Sequence, residues 1–167
     1  EYACRRIALG KERRLIAGGA EALSRSVLHA YGQRGVLNPT DRPLPYDPAS
    51  KGMILGEGSA VVALEEAESA RQWNTPVLAR VLAWANCQGQ SDFGFRISDL
   101  GLESAIRNPQ SAMVASVADG LTRSMAEAMA RGGIAPRDVD AVIGIGSGLP
   151  EMDGAELDAV RSVFGDC

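Results

Sequence analysis

The stretch "VDAVIGIGSGLPEMDGAE", residues 139–156, carries the clearest structural pattern in the chain. Its apolar run at residues 139–145 predicts a buried strand, the alternating glycines that follow predict a tight turn, and Pro150 indicates where a helix opens. Asp153 with Glu156 three residues later is typical of a helix N-cap and its capping-box partner. A strand that leads through a glycine turn into a helix is where many α/β proteins keep their chemistry.

Strands and helices alternate along the rest of the chain. Residues 59–64 predict a strand that turns into a helix opened by Glu65 and Glu66, acids suited to a helix N-terminus. A single apolar stripe predicts a helix over residues 111–131. The other predicted elements are a helix end before Gly10, a short buried strand that runs into a turn at Gly18 and Gly19, a helix over residues 22–31, a strand over residues 75–89 covered on both faces, and a helix with Leu157, Val160, Val163 and Phe164 on one face. This order predicts a layered α/β fold.

Two stretches predict loops. Residues 32–52, "GQRGVLNPTDRPLPYDPASKG", are rich in Gly, Pro, Asn and Asp and have no apolar period. A loop of this length in a compact domain usually has a use, so we expect it to be ordered. Residues 91–110 predict a second loop.

Composition restricts the function classes. The 167 residues are 46% hydrophobic and 23% charged, as in a globular protein with one ordinary core. A net charge of −4 disfavours a nucleic-acid partner, and no stretch approaches the length of a membrane span. The three distant cysteines, Cys4, Cys87 and Cys167, predict reduced thiols in a cytoplasmic protein. Both ends of the sequence read as interrupted helices, which suggests a fragment of a longer chain.

Several motifs have chemical readings that compete with simpler ones. Gly144, Gly146 and Gly148 form a GxGxG turn, but a dinucleotide fingerprint has its third Gly one position later and no Pro in the turn, so a nucleotide-binding domain is a remote alternative. His29 has no carboxylate or cysteine at a suggestive spacing. Cys87 lacks the strand-turn-helix of a nucleophile elbow. The acids after the turn favour a helix cap over a metal site, and no metal is expected.

Four blocks of sequence, in this order, resemble the β-ketoacyl synthases of fatty-acid and polyketide assembly. They are "LIAGGAEA", "RPLPYDPASKGMILGEGSAVVALEEAESA", "GIAPRDVDAV" and "GSGLPEMDGAELDAVRSVFG". The resemblance weakens only over residues 88–113. It implies an incomplete thiolase-like layered α/β fold, in which residues 1–167 form a partial domain. That domain would span the end of the family's N-terminal half and the start of its C-terminal half.

Condensation in this family uses a Cys nucleophile, two His and a supporting Lys. Alignment places the nucleophile shortly before Glu1, and the second His and the Lys shortly after Cys167, so none of these three is expected on this chain. The first His opens the motif His-Gly-Thr-Gly-Thr-Pro, which stands here as "IGSGLP", residues 145–150. Ile145 therefore occupies the histidine position. The resemblance implies no catalytic residue on this chain and leaves open whether the protein is an enzyme.

The remaining motif positions imply substrate binding. Ser147 keeps a hydroxyl where the family has Thr, so it is expected to bond an amide of the phosphopantetheine arm of an acyl carrier protein, whereas Leu149 has lost the second hydroxyl. The full set of expected substrate-binding residues is Gly146, Ser147, Gly148 and Pro150. No resident cofactor is implied.

A synthase-like chain without that His resembles the chain-length factor, a partner subunit that pairs with an active synthase. This interpretation implies two partners, an acyl carrier protein and a ketosynthase-type dimer partner, and neither nucleic acid nor membrane. The alternative within the family is an active or non-elongating ketosynthase domain, an acyltransferase of a polyketide or fatty-acid synthase.

Overall fold

A computed structural model describes residues 1–88 and 109–165. The chain divides into two compact units. The first comprises Glu1–Tyr31 and Leu55–Leu82, and the second comprises Gly32–Ile54 and Ala83–Cys167. Along the chain the elements are α1 (Tyr2–Ala8), β1 (Arg14–Glu21), α2 (Arg25–Gln33), β2 (Gly58–Glu65), α3 (Ala67–Gln72), α4 (Pro109–Gly132), a 3₁₀ turn (Pro136–Asp138) and α5 (Pro150–Phe164).

In the first unit β1 and β2 form an antiparallel pair that runs in register from Arg14 opposite Glu65 to Glu21 opposite Gly58. The predicted turn at Gly18 and Gly19 is wrong, because both glycines lie inside β1 and pair with β2. The prediction that this strand is buried is also wrong, since Ile16 is 78% exposed. Glycine in a strand also permits close backbone approach, and Gly18 has this role, because a Cβ there would collide with the Ala60 carbonyl oxygen, whereas a Cβ at Gly19 would meet no atom within 4 Å.

The strand-to-helix unit at residues 58–72 follows the prediction closely. β2 ends at Glu65 and α3 begins after Glu66, which is its N-cap residue. The Ser69 hydroxyl donates to Glu65 Oε1 at 2.6 Å, and Arg14 Nε donates to the same oxygen at 2.7 Å. These two hydrogen bonds, the one from Ser69 first, hold the pKa of Glu65 below its ordinary value. The junction therefore joins the end of the sheet to the first turn of the helix.

The second unit is built on α4 and α5, which pack against each other. The predicted helix over residues 111–131 is confirmed as α4, and the helix with the Leu157 stripe is confirmed as α5. Ala155 and Ala159 of α5 are buried, and side chains of this size allow helices to approach each other closely. On α4 the predicted stripe is half-buried and consists of Val117, Leu121, Met125 and Met129. Gly133, with a φ of +64°, directly follows the end of α4 at Gly132.

Two predicted strands do not form in the described part of the chain. Residues 75–88 and 139–145 lie in neither a helix nor a strand, and no described residue pairs with them in a ladder. Leu78 and Ile143 are 101% and 97% exposed, so the predicted burial is wrong as well. An apolar run favours a strand, but a strand also requires a neighbour whose backbone groups it binds.

Side chains of α4 bind the backbone of the first of these segments where a ladder was expected. The Cys87 amide donates to the Ser124 hydroxyl at 3.0 Å, and the Arg131 guanidinium donates to the Trp84 carbonyl at 3.1 Å. The loop predicted at residues 91–110 lies outside the described residues as far as residue 108, and residues 109 and 110 belong to α4.

The loop predicted at residues 32–52 is confirmed except at its start, because residues 32 and 33 belong to α2. One isolated parallel bridge joins Leu37 to Met53, and the Met53 amide donates to the Val36 carbonyl at 2.9 Å. Asn38 holds the chain locally, because its Oδ1 accepts both the amide and the hydroxyl of Thr40 at 2.8 Å. Residues 45–52, which lie between the two bridge residues, contact the turn before α5 and its first helical turn within the same unit.

Candidate functional site

The candidate site is the turn of residues 144–149, which leads into α5. Pro150 is the first helical residue and Leu149 is the N-cap, in extended conformation, so the predicted helix start at Pro150 is confirmed. Asp153 is not the N-cap, contrary to the prediction. It lies four residues beyond Leu149, and its own amide donates to the Leu149 carbonyl at 2.9 Å. The Asp and Glu of the motif have a different use, which their hydrogen bonds define.

Asp153 folds its carboxylate back onto the turn. Its Oδ1 accepts the amide and the hydroxyl of Ser147, both at 2.7 Å, and its Oδ2 accepts the amides of Gly148 and Tyr46, both at 2.9 Å. The residue is only 2% exposed. Burial acts to raise the pKa of Asp153, but the hydrogen bonds, led by the one from the Tyr46 amide, outweigh it and the pKa is lowered. Four donors thus hold Asp153 in its charged form.

Glu156 does the same for the first half of the turn. Its Oε1 accepts the Ile145 amide at 2.8 Å, and its Oε2 accepts the Gly146 amide at 3.1 Å and the Tyr46 phenol at 2.9 Å. Glu156 is 8% exposed. Together the two buried carboxylates receive four successive amides, those of residues 145–148. Within the described residues neither carboxylate forms an ion pair, so backbone dipoles, the Ser147 hydroxyl and the Tyr46 phenol compensate their charge.

This arrangement disfavours the nucleotide-binding alternative. A phosphate loop presents a series of free amides to an anion. Here the amides of residues 145–148 already donate to Asp153 and Glu156, and a phosphate brought to the same amides would meet two carboxylates. The amides of the glycine turn therefore bind Asp153 and Glu156 of the same chain.

The loop of residues 45–52 closes on the turn from the other side. The Ser50 hydroxyl, which is buried, donates to the Gly148 carbonyl at 2.6 Å. Gly148 has a φ of +80°, and a Cβ at this position would lie 2.7 Å from the Gly52 carbonyl oxygen. Both the backbone conformation and the close approach therefore require glycine at position 148.

The residues expected at the site lie together in this turn. Ile145 is 76% exposed and offers no polar group, and Pro150 is exposed at the start of α5. The Ser147 hydroxyl gives its proton to Asp153 and accepts the Leu149 amide at 3.2 Å. A hydroxyl has one proton and two lone pairs, so toward a ligand Ser147 retains one acceptor position and no donor.

Sequence reasoning missed Tyr46 and Ser50 as parts of the site. Both lie in the block "PYDPASKG", which was read as loop, and the residues they bind are about a hundred positions away, at separations of 107, 110 and 98. The only available signal was that an unusually long loop predicts a use.

The other candidates lie outside this cluster. His29 is exposed on α2, Cys4 and Cys87 are free thiols, and Cys167 is outside the described residues. In residues 1–88 and 109–165 no group of three or more His, Cys, Asp or Glu is arranged to hold a metal ion. None of the helices described is both long and apolar enough to span a bilayer.

Comparison with known proteins identifies the family to which the chain belongs. The family model "Beta-ketoacyl synthase, N-terminal domain" matches residues 1–70, and "Beta-ketoacyl synthase, C-terminal domain" matches residues 100–167. The 3-oxoacyl-(acyl-carrier-protein) synthase 2 of Coxiella burnetii is 29% identical over 99% of this chain and 37% of its own length. The tetracenomycin polyketide synthase ketoacyl synthase beta subunit of Streptomyces glaucescens is 31% identical over 98% of this chain and 36% of its own length.

A solved structure shares the fold. The ishigamide ketosynthase/chain length factor superposes with a TM-score of 0.75 at 23% identity, over 99% of this chain and 36% of that chain. This likeness confirms the predicted thiolase-like α/β fold, present in part. The chain spans little more than a third of the length of the relatives it matches. The sequence resemblance is confirmed by both family models, and the chain belongs to the β-ketoacyl synthase family.

Proposed function

We propose that the whole protein is a partner subunit of a condensing enzyme in fatty-acid or polyketide assembly, of the chain-length-factor kind, and that it does not carry out decarboxylative condensation itself. The observation that carries this proposal is Ile145. An aliphatic side chain stands at the position of the family's first catalytic His, in a turn whose amides at residues 145–148 donate to Asp153 and Glu156.

Decarboxylation of a malonyl thioester leaves negative charge on the thioester oxygen. A preorganised donor aimed at such a charge is worth roughly 3 to 4 kcal/mol, or about a hundred- to a thousandfold in rate. The Ile145 side chain has no donor, and the amides of residues 145–148 donate inward to Asp153 and Glu156. The neighbouring backbone therefore does not replace the missing imidazole, which supports a role without this chemistry.

The proposed ligand is an acyl chain on the phosphopantetheine arm of an acyl carrier protein. Gly146, Ser147, Gly148 and Pro150 would line its approach, with Ser147 accepting an N–H of the arm. The name of the Coxiella relative mentions the acyl carrier protein, and the Streptomyces relative is named as a beta subunit of a ketoacyl synthase. Both names support a carrier and a synthase as partners.

The free thiols of Cys4 and Cys87 support a reducing compartment, for which we propose the cytoplasm.

The test is an elongation assay on the whole protein with malonyl-carrier and an acyl primer. The protein is assayed alone, as Ile145→His, and mixed with an active synthase partner. The proposal predicts no elongation by the wild type alone and elongation by the mixture. Elongation by the unaided wild type at the rate of an intact synthase would refute it.

The same samples separate the alternative within the family. A non-elongating ketosynthase domain transfers an acyl group from the carrier to its own nucleophile. Mass spectrometry of the intact protein after incubation with acyl-carrier detects such an acyl-enzyme. A stoichiometric acyl adduct without elongation would replace the partner-subunit proposal by the acyltransferase one.

A further inference from the structure

Tyr46 adopts a backbone conformation that aromatic residues rarely take. Its φ is +61°, in the left-handed region, where a side chain with a Cβ costs on the order of 1–2 kcal/mol. Such strain persists where the surrounding contacts hold it in place, and an observed outlier is a reason to ask what the residue does. The loop that carries Tyr46 was predicted to have a use, and the family assignment gives this tyrosine none.

The contacts of Tyr46 explain the conformation. Its amide donates to Asp153 Oδ2 and its phenol donates to Glu156 Oε2, both at 2.9 Å. One residue therefore binds both of the carboxylates that receive the amides of the turn. The left-handed backbone turns the amide toward Asp153 while the side chain reaches Glu156, which lies one helical turn further along α5.

The aromatic ring also lies directly against the turn. Gly146 comes so close that a Cβ there would lie 3.1 Å from Tyr46 Cε2, and a Cβ at Gly144 would collide with the phenol oxygen. Gly144 and Gly146, on either side of Ile145, thus lack the side chains that would overlap with Tyr46. The ring, the phenol oxygen and the amide of Tyr46 therefore all contact residues that belong to the turn or bind it.

We propose that Tyr46 is the positioning residue of the turn that carries Ile145, acting through its phenol on Glu156. The Glu156 oxygen that accepts the phenol also accepts the Gly146 amide, and the other oxygen accepts the Ile145 amide. The terminal torsion of a glutamate is broad and two-fold, so without the phenol only the two turn amides restrain the rotation of the carboxylate. The phenol fixes the plane in which Glu156 presents its oxygens to the two amides.

This inference concerns the order of the turn and goes beyond the proposed function. It holds whichever ligand the turn receives, and whether or not the protein elongates an acyl chain. Its test therefore uses the ligand-free protein.

The test is amide hydrogen exchange on the whole protein, wild type against Tyr46→Phe, which removes the phenol oxygen and keeps the ring. The amides of Ile145 and Gly146 should exchange about tenfold faster or more, the change expected when a charge-assisted hydrogen bond is lost from the network that closes them. The amides of Ser147 and Gly148 should change much less, because Asp153 and the Tyr46 amide are untouched.

Two control variants separate positioning from a general loosening. Tyr31→Phe removes a phenol from α2 and should leave all four amides of the turn unchanged. Ser50→Ala removes the other loop donor, the one to the Gly148 carbonyl, and should spare Ile145 and Gly146. Equal acceleration of all four amides in Tyr46→Phe, or none, would overturn the proposal.

A titration keeps the proposal falsifiable if Tyr46→Phe does not fold. With tyrosine labelled at Cζ, the Tyr46 phenol in the wild type should titrate above the ordinary tyrosine value of about 10, and Glu156→Gln should lower its pKa toward that value. A Tyr46 that titrates identically in the wild type and in Glu156→Gln would show that the phenol does not act on Glu156, and would overturn the proposal.

Discussion

The phenol oxygen of Tyr46 lies 2.9 Å from Oε2 of Glu156, although the two residues are 110 positions apart in the chain. The same carboxylate binds the amides of Ile145 and Gly146, so a distant loop, a helix and the motif turn meet at one side chain. Glu156 thus links the loop that carries Tyr46 to the turn that carries Ile145.

Asp153→Asn should destabilise the protein by about 2–3 kcal/mol, because one acceptor oxygen facing N–H and O–H donors becomes a donor itself. Asp153 accepts four hydrogen bonds and is buried. Denaturant unfolding of the whole protein measures the change. Asp158→Asn on the exposed side of α5 is the matched control and should stay within about 0.5 kcal/mol of wild type. Similar effects of the two variants would contradict the role given to Asp153.

Two glycine-to-alanine changes near each other should have opposite signs. Gly148→Ala should cost roughly 1–3 kcal/mol or more, because its φ of +80° is strained for alanine and its Cβ would lie 2.7 Å from the Gly52 oxygen. Gly154→Ala should stabilise by about 0.5–1 kcal/mol, since Gly154 lies inside α5 and an added Cβ meets no atom within 4 Å. The unfolding midpoints of both variants check this, and a neutral Gly148→Ala would contradict the turn geometry.

Acid should weaken the turn through Asp153. The pKa of this group is lower in the folded state than in the unfolded chain, so its contribution to stability is full above the ordinary Asp value of about 3.9 and is lost as the pH falls through the lowered folded pKa. The stability difference between wild type and Asp153→Asn should therefore shrink below about pH 4. Unfolding curves of both proteins between neutral and acid pH measure it. A difference that stays constant over this range would exclude the linkage.

Alkali should act through Tyr46. Burial, and after it the hydrogen bond to Glu156, raises the pKa of the phenol, so its contribution is full below the ordinary tyrosine value of about 10 and is lost as the pH rises through the folded pKa. Wild type should lose more stability than Tyr46→Phe above about pH 10. Chemical denaturation across that range tests the difference, and equal losses in the two proteins would contradict the role given to the phenol.

The sequence predicted the elements that depend on local pattern. Glu65 and Glu66, at the end of β2, indicated the start of α3, the four-residue stripe from Val117 to Met129 indicated α4, and Pro150 indicated the start of α5. These signals arise within a few residues, where capping and periodicity act. Ile145 was assigned to the histidine position by alignment with a family motif. Periodicity and capping patterns contain no such signal.

The failures share a physical cause, which is dependence on distant partners. Residues 139–145 have the composition of a strand, but no described residue pairs with them. Asp153 and Glu156 have the spacing of a capping box, and the same spacing lets two carboxylates on one helix face bind the preceding turn. Tyr46 reads as a loop residue, because its partners in α5 are more than a hundred positions away.

The central claim is that Ile145 removes the donor needed for decarboxylation. The most direct measurement is carbon dioxide release from malonyl-carrier by the whole protein without a synthase partner. The account predicts release at the background rate of malonyl-carrier alone, roughly a hundred- to a thousandfold below that of an active synthase assayed in parallel. Release at the rate of the active synthase, with Ile145 in place, would contradict it.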